Sequence, residues 1–261
     1  MSVNDWMMVT DQVRQAVFAG APIVAVPSCL FMGEAIEQQM LCRDCIERQG
    51  AQMALVAVWK GKLAVGLSTD QMHILAQKGV MTRASRSDFG PLCARRASAA
   101  AGVALTMLAA QRCGIDVVVG GAMEGVQQTQ QGAQCSPDLM ELSQTTVLVV
   151  GAGWRQQVDR ALTMTCLEMQ DIPMALWQTD RIEQRDVPGG EAWHLLDTPE
   201  QAGAMFRAHR DVCRKGGLLL MAQAQPDARQ ACLKSCEVAA QVAAHILPVP
   251  FAEPVDEEEE V

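Results

Sequence analysis

The segment Thr146 to Asp159, Thr-Val-Leu-Val-Val-Gly-Ala-Gly-Trp-Arg-Gln-Gln-Val-Asp, constrains this chain more than any other. Val147, Leu148, Val149 and Val150 form an unbroken aliphatic run, which suits a strand buried on both faces. Gly151 and Gly153 then allow a tight turn, and Val158, Leu162 and Cys166 continue at helical spacing. Strand, glycine turn and helix together predict that Trp154 and Arg155 stand at the carboxyl end of a sheet, where open α/β sheets bind ligands. The dinucleotide fingerprint G-x-G-x-x-G is incomplete, because its third glycine falls on Gln156. The segment therefore gives a place for a site before it gives a chemistry.

Strand and helix patterns alternate on both sides of it. A first helix spans Thr10 to Phe18, and Ile23 to Val26 is a buried strand stopped by Pro27. A helix from about Glu34 to Arg48 ends at Gly50, and the strand Met53 to Trp59 turns through Lys60-Gly61-Lys62 into Leu63 to Gly66. Ser68-Thr69-Asp70 caps a helix closed by Gly79, and Met81 to Ser85 is a short strand. An Ala-rich helix runs from Leu92 to Cys113, and the strand Ile115 to Val119 leads into Gly120-Gly121-Ala122-Met123-Glu124-Gly125. Val126 to Ser136 is Gln-rich and reads as a mobile polar loop; Pro137 to Leu142 is a helical turn capped by Ser136.

Beyond the central segment, Ile172 to Trp177 and Leu218 to Met221 are strands, with a polar excursion at Asp180 to Glu191 and a helix from Thr198 to Arg214 between them. A last helix covers Asp227 to His245. This alternation predicts a three-layer α/β/α sandwich with a mostly parallel central sheet, in one domain over residues 1–247. Residues 248–261, Pro-rich and then acidic through Glu257 to Glu260, read as a disordered tail and a possible contact for a protein partner.

Composition excludes whole classes of function. A net charge of −9 is the wrong sign for a nucleic-acid surface, which needs clustered Lys and Arg. No apolar run reaches the length of a membrane span, and Met-Ser-Val-Asn-Asp-Trp lacks the pattern of a signal segment, so the expected location is the cytoplasm. The ten cysteines mostly lie in apolar periodic stretches, as small core residues of a reduced protein do. Cys42 and Cys45 form C-x-x-C, and Cys232 and Cys236 form C-x-x-x-C. Four thiolates suffice in number for zinc, but both pairs fall in helical patterns rather than knuckle turns, which favours packing.

Several short pieces fall in one order along the chain: Ile23-Val24-Ala25-Val26-Pro27-Ser28, Gln49-Gly50-Ala51, Val65-Gly66-Leu67-Ser68, Ser85-Arg86-Ser87-Asp88, Gly102-Val103-Ala104-Leu105-Thr106-Met107, Gly120-Gly121, Ser136-Pro137-Asp138-Leu139 and Val149-Val150-Gly151-Ala152-Gly153. In order and spacing, from about residue 11 to 225, they resemble the pseudouridine-5′-phosphate glycosidase family, which includes indigoidine synthase A-like proteins. The resemblance implies a homotrimer and a reversible carbon–carbon cleavage that gives uracil and ribose 5-phosphate. It further implies a lysine that forms an imine with C1′ of the opened sugar, a glutamate that moves protons, and a manganese ion beside an aspartate.

This chain departs from that equipment. The imine lysine falls on Arg155, the glutamate on Pro27 and the metal aspartate on Gln134, so no manganese is expected. A guanidinium has no lone pair with which to attack a carbonyl, and a carboxamide is a poor ligand for a hard cation. A second family lysine falls on Arg83, two helix-opening threonines on Ala101 and Gly102, and a loop histidine near Gln127. The family's carboxyl-terminal segment has no counterpart beyond about residue 250. Arg83, Arg155, Gly120, Gly121, Ser136 and Asp138 are the candidates to hold a sugar phosphate or nucleotide. Two guanidiniums brought together need a carboxylate or an anion, and Glu124 and Asp138 are the carboxylates within reach of the same loops. Cys29 and Cys135 are alternative nucleophiles with no histidine near them in sequence. Three readings follow: a divergent member that binds without the imine chemistry, an enzyme of altered chemistry on a sugar phosphate or C-nucleoside phosphate, and an assembly or regulatory protein acting through the tail.

Overall fold

The continuous apolar runs become the middle of one sheet. The structure, a computed structural model, describes residues 5–33, 36–68, 70–71, 73–74, 82–178, 194–223, 225 and 227–246. Its first part holds β1 (Met7–Val9), α1 (Asp11–Phe18), β2 (Ile23–Pro27), a 3-10 turn (Ser28–Phe31), α2 (Ile36–Arg48), β3 (Gln52–Trp59) and β4 (Lys62–Val65). Then come β5 (Arg83–Ala84), α3 (Arg86–Ala94), β6 (Ala99–Ala101), α4 (Val103–Cys113), β7 (Val117–Met123), β8 (Val126–Thr129), β9 (Gly132–Cys135) and α5 (Pro137–Leu142). The last part holds β10 (Leu148–Trp154), α6 (Arg160–Met169), β11 (Met174–Trp177), β12 (His194–Leu196), α7 (Pro199–Cys213), β13 (Leu218–Ala222) and α8 (Ala228–Ala243).

The main sheet runs β1-β4-β3-β2-β7-β10-β13-β11-β12, with β6 paired to β3 and β5 to β6. From β3 to β12 every neighbouring pair is parallel; β4 and β6 run antiparallel to β3. Every residue of β2, β10 and β13 is buried, as strands covered on both faces must be. On one face Val13 of α1, Met107 of α4, Leu139 of α5 and Leu167 of α6 pack against Ala25, Val149 and Leu219. On the other, Ile46 of α2, Phe206 of α7 and Val238 of α8 pack against Val24, Val150 and Leu220. Each buried Leu, Ile or Phe side chain contributes about 1.5–3 kcal/mol. These are the three α/β/α layers that the alternating pattern predicts.

Strand order reverses between β2 and β7: β3 lies outward of β2 on one side, and β10 and β13 outward of β7 on the other. Such a switch opens a crevice at the carboxyl ends of the strands. Pro27 ends β2 there and Ser28 follows it, Glu124 follows β7, and Arg155 follows β10.

Four local readings of the sequence are corrected. Gly151 and Gly153 lie inside β10 rather than in a turn after it, and Gly120 and Gly121 lie inside β7. The pairing Val150↔Val119, Gly151↔Gly121, Trp154↔Met123 shows why: each strand carries an extra residue, and positive φ at Gly121 (65°) and Gly153 (91°) absorbs it. The Ala-rich stretch from Leu92 to Cys113 is not one helix. α3 ends at Ala94, Arg96 takes a φ of 50°, and Ala99–Ala101 joins the sheet, because pairing with Ala57 and Val58 outweighs the helix propensity of alanine. The Gln-rich segment is a hairpin, β8 against β9, with Gln127 opposite Gln134. Met7–Val9 and His194–Leu196 are edge strands too short to show a period.

The capped ends fit their signals. Ser136 accepts from the Leu139 N–H, Asp227 from that of Gln230, and Thr198 with Gln201 closes a capping box on α7. The Ser68 hydroxyl accepts from the Gln71 N–H at 3.2 Å; most of the helix expected after it, the polar excursion and the acidic tail lie outside the described residues. No helix among the described residues is long and apolar enough to cross a membrane.

The bulge in β10 is testable. A side chain at residue 153 is forced into the left-handed region, so Gly153→Ala should lower the unfolding free energy in urea by about 1–2 kcal/mol with an unchanged slope. An unchanged midpoint would show that the bulge does not need its glycine.

Candidate functional site

The two extra residues re-aim the chain just where the crevice opens. Trp154 turns into the core and is buried, while Arg155 leaves the end of β10 with its side chain 47% exposed. Its backbone is fixed, since the Arg155 N–H donates to the Met123 carbonyl at 3.0 Å and its own carbonyl accepts from Val158. On the neighbouring strand, Glu124 follows Met123 directly.

Four charged side chains then meet in a line. The Arg83 guanidinium, on β5, makes a short ion pair with Glu124 through Nη1 and donates from Nη2 to Asp138 Oδ2 at 3.0 Å. Arg155 Nη1 lies 3.6 Å from the same Glu124 oxygen that Arg83 holds. Asp138, in the first turn of α5, is 2% exposed, and its second oxygen accepts from the Ala104 N–H in the first turn of α4 at 2.9 Å. The two arginines therefore share Glu124, and Asp138 backs Arg83 from the buried side. Gly102, which caps α4, sits close under this contact: a Cβ there would come 2.9 Å from Arg83 Nε.

Burial is the dominant perturbation here. It raises Asp138 above the ordinary carboxylate range, opposed by the Arg83 charge and the Ala104 N–H. Burial also works against the charge on Arg83, but Asp138 and Glu124 more than restore it. With two guanidiniums and two carboxylates, the line is formally neutral.

Cys29 lies in the 3-10 turn after β2 and feels the same four charges. Burial pushes its thiol up to about 12, only partly offset by Arg83. At neutral pH it is a protonated thiol and a poor nucleophile. Cys135, at the end of β9, is likewise pushed up to about 12, first by burial and then by Cys166, whose sulfur is 3.5 Å away.

Not every candidate converges. Gly120 and Gly121 shape β7 rather than cradle a ligand in a turn, and Ser136 is spent on capping α5. Pro27 ends β2 and is buried. Gln134 is exposed on β9 and Gln127 faces it across the hairpin, so this pair offers amides where a hard cation needs carboxylates. The residues present do not fit manganese. Ser28 was missed by sequence reasoning; fully buried, its hydroxyl accepts from the Ala101 N–H at 2.9 Å and ties β2 to β6. A serine directly after a strand-ending proline was the available signal.

Asp138 carries the largest energetic consequence. Asp138→Ala strands a part-buried guanidinium and a buried N–H, and should cost about 3–5 kcal/mol of stability in urea unfolding. A loss below about 1 kcal/mol would show that this carboxylate does not anchor the cluster.

The geometry can be set beside known proteins. The family model described as Indigoidine synthase A like protein matches residues 12–246. A pseudouridine-5′-phosphate glycosidase of Alkaliphilus metalliredigens is 33% identical over 84% of this chain and 74% of its own. Pseudouridine-5′-phosphate glycosidase 2 of Rhizobium johnstonii is 34% identical over 80% of this chain and 70% of its own. Among solved structures, the prealnumycin C-glycosynthase AlnA in complex with ribulose 5-phosphate superposes with a TM-score of 0.84 at 23% identity, over 92% of this chain and 96% of the other. An indigoidine synthase A-like protein of Thermotoga maritima superposes at 0.78 and 18% identity, over 91% and 95%. The chain belongs to the indigoidine synthase A-like family, with curated pseudouridine-5′-phosphate glycosidases among its relatives.

Proposed function

We propose that this chain binds the phosphate monoester of a pentose, or of a nucleotide built on one, at the Arg155 edge of the crevice, and that it does not cleave pseudouridine 5′-phosphate through an imine. The observation that carries this is the line Asp138–Arg83–Glu124–Arg155. Arg83 is held on two sides, whereas Arg155 is half exposed and its contact with Glu124 is looser than a charge-assisted hydrogen bond of about 2.7–2.9 Å. Its planar fork can turn two N–H groups to a phosphate while Glu124 keeps the head in place. A pentose 5-phosphate also runs through the comparisons, in the name of the glycosidases and in the ligand of the C-glycosynthase.

The negative half of the proposal is chemical. Imine formation needs a neutral amine, and Arg155 supplies a permanent cation. The Lys60 ammonium lies over the Trp59 ring, and that of Lys234 pairs with Glu237. Pro27 carries no proton, and no step runs through a metal at Gln134. With this reading go a homotrimer, drawn from the resemblance, and a cytoplasmic location, expected from the sequence pattern.

Two outcomes test it. In calorimetry at low salt, ribose 5-phosphate should bind the wild-type chain, and Arg155→Ala should weaken that binding about 10–100-fold, the worth of one charged hydrogen-bond set. Arg155→Lys should weaken it less. Equal affinity of wild type and Arg155→Ala, or no binding at all, would refute the site. Separately, cyanoborohydride with ribose 5-phosphate should leave the intact mass of the protein unchanged. A pentose adduct mapped to a lysine such as Lys60 or Lys62, together with release of uracil from pseudouridine 5′-phosphate, would refute the chemistry.

A further inference from the structure

On the opposite face of the sheet, Cys42 of α2 and Cys232 and Cys236 of α8 meet where those helices pack together. Their three sulfurs lie within 4.8 Å of one another, with Cys42 and Cys232 at 3.5 Å, and all three residues are buried. Cys232 and Cys236 are one turn apart, so helix geometry alone aims both at α2. Gln38, one turn before Cys42 and also buried, places its amide 3.9 Å from the Cys42 sulfur and 3.3 Å from the Arg229 carbonyl.

Apolar packing explains one buried cysteine, but it gives no reason for three sulfurs to converge on one point. A disulfide would use two, at about 2.05 Å, and leave the third over. An ion held by three sulfurs at about 2.3 Å needs them about 3.8–4.0 Å apart, which lies within the observed spread. Thiolate sulfur selects soft ions over hard ones.

We propose that Cys42, Cys232 and Cys236 form a structural site for a soft d10 metal ion, Zn(II) or Cu(I), that clamps α2 to α8. The ion takes three sulfur–metal bonds without change of oxidation state, and the three thiols each release a proton to solvent as they bind. Cys45 is half-buried and outside the triad, so the C-x-x-C pattern contributes one ligand and not two.

The test uses the full chain, reduced, freed of metal and titrated separately with Zn(II) and with Cu(I). One ion per chain should survive gel filtration and raise the thermal midpoint, and competition against a chelator of known affinity identifies which ion is preferred. Cys236→Ala should weaken binding by about tenfold or more, and Cys213→Ala, at an exposed thiol of α7, should not. Because a core change can disturb folding, X-ray absorption on the loaded wild-type chain gives a second reading, three sulfur neighbours at about 2.3 Å. Failure to retain a stoichiometric ion, binding indifferent to Cys236→Ala in a folded variant, or fewer than three sulfurs around the ion would overturn the proposal.

Discussion

Asp138 holds the crevice together. A carboxylate at 2% exposure is costly unless its charge is met, and here both oxygens are met: one by the first turn of α4 through the Ala104 N–H, the other by Arg83. Arg83 passes the constraint to Glu124 after β7, and Glu124 passes it to Arg155 after β10. One alternating line of charge thus fixes α4, α5, β5, β7 and β10 relative to one another. Because the line is neutral, its buried members need no outside counter-ion. The arginine at its exposed end is the group to which the proposed function assigns the phosphate.

How far the sequence reveals this depends on which forces are local. β10 is legible because burial on both faces demands an unbroken apolar run, and Val147 to Val150 supply one. Gly153 misleads, since a turn and a bulge both call for a glycine of positive φ; only pairing with β7 shows that an extra residue sits there. Ala99 to Ala101 mislead for a related reason. Alanine prefers helix, and the antiparallel contact with Ala57 and Val58 is long-range. The hairpin at Val126 to Cys135 carries little apolar alternation because most of it is exposed. That two arginines would need a carboxylate was legible from charge alone. That Glu124 would be shared and Asp138 would anchor α4 was not, because both contacts join segments distant in sequence.

The scaffold and the chemistry on it are separable. The chain belongs to the indigoidine synthase A-like family and shares its fold with a solved protein of that kind. At the position that the resemblance assigns to an amine nucleophile stands a guanidinium, which can grip a phosphate but cannot add to a carbonyl. On the function proposed above, a single such change could be compensated elsewhere, whereas Pro27 and Gln134 stand where the resemblance also places the proton carrier and the metal ligand. The thiol triad on the other face touches none of these groups, so an ion bound there would stiffen the helical layer without entering the chemistry of the crevice.

The most direct measurement is a crystal structure of the chain soaked with ribose 5-phosphate and uracil. The account predicts the phosphate within hydrogen-bond distance of the Arg155 guanidinium, Glu124 still bridging Arg83 and Arg155, and no continuous density between the sugar and any side chain. Continuous density from C1′ to a lysine, or a phosphate seated away from Arg155, would contradict it.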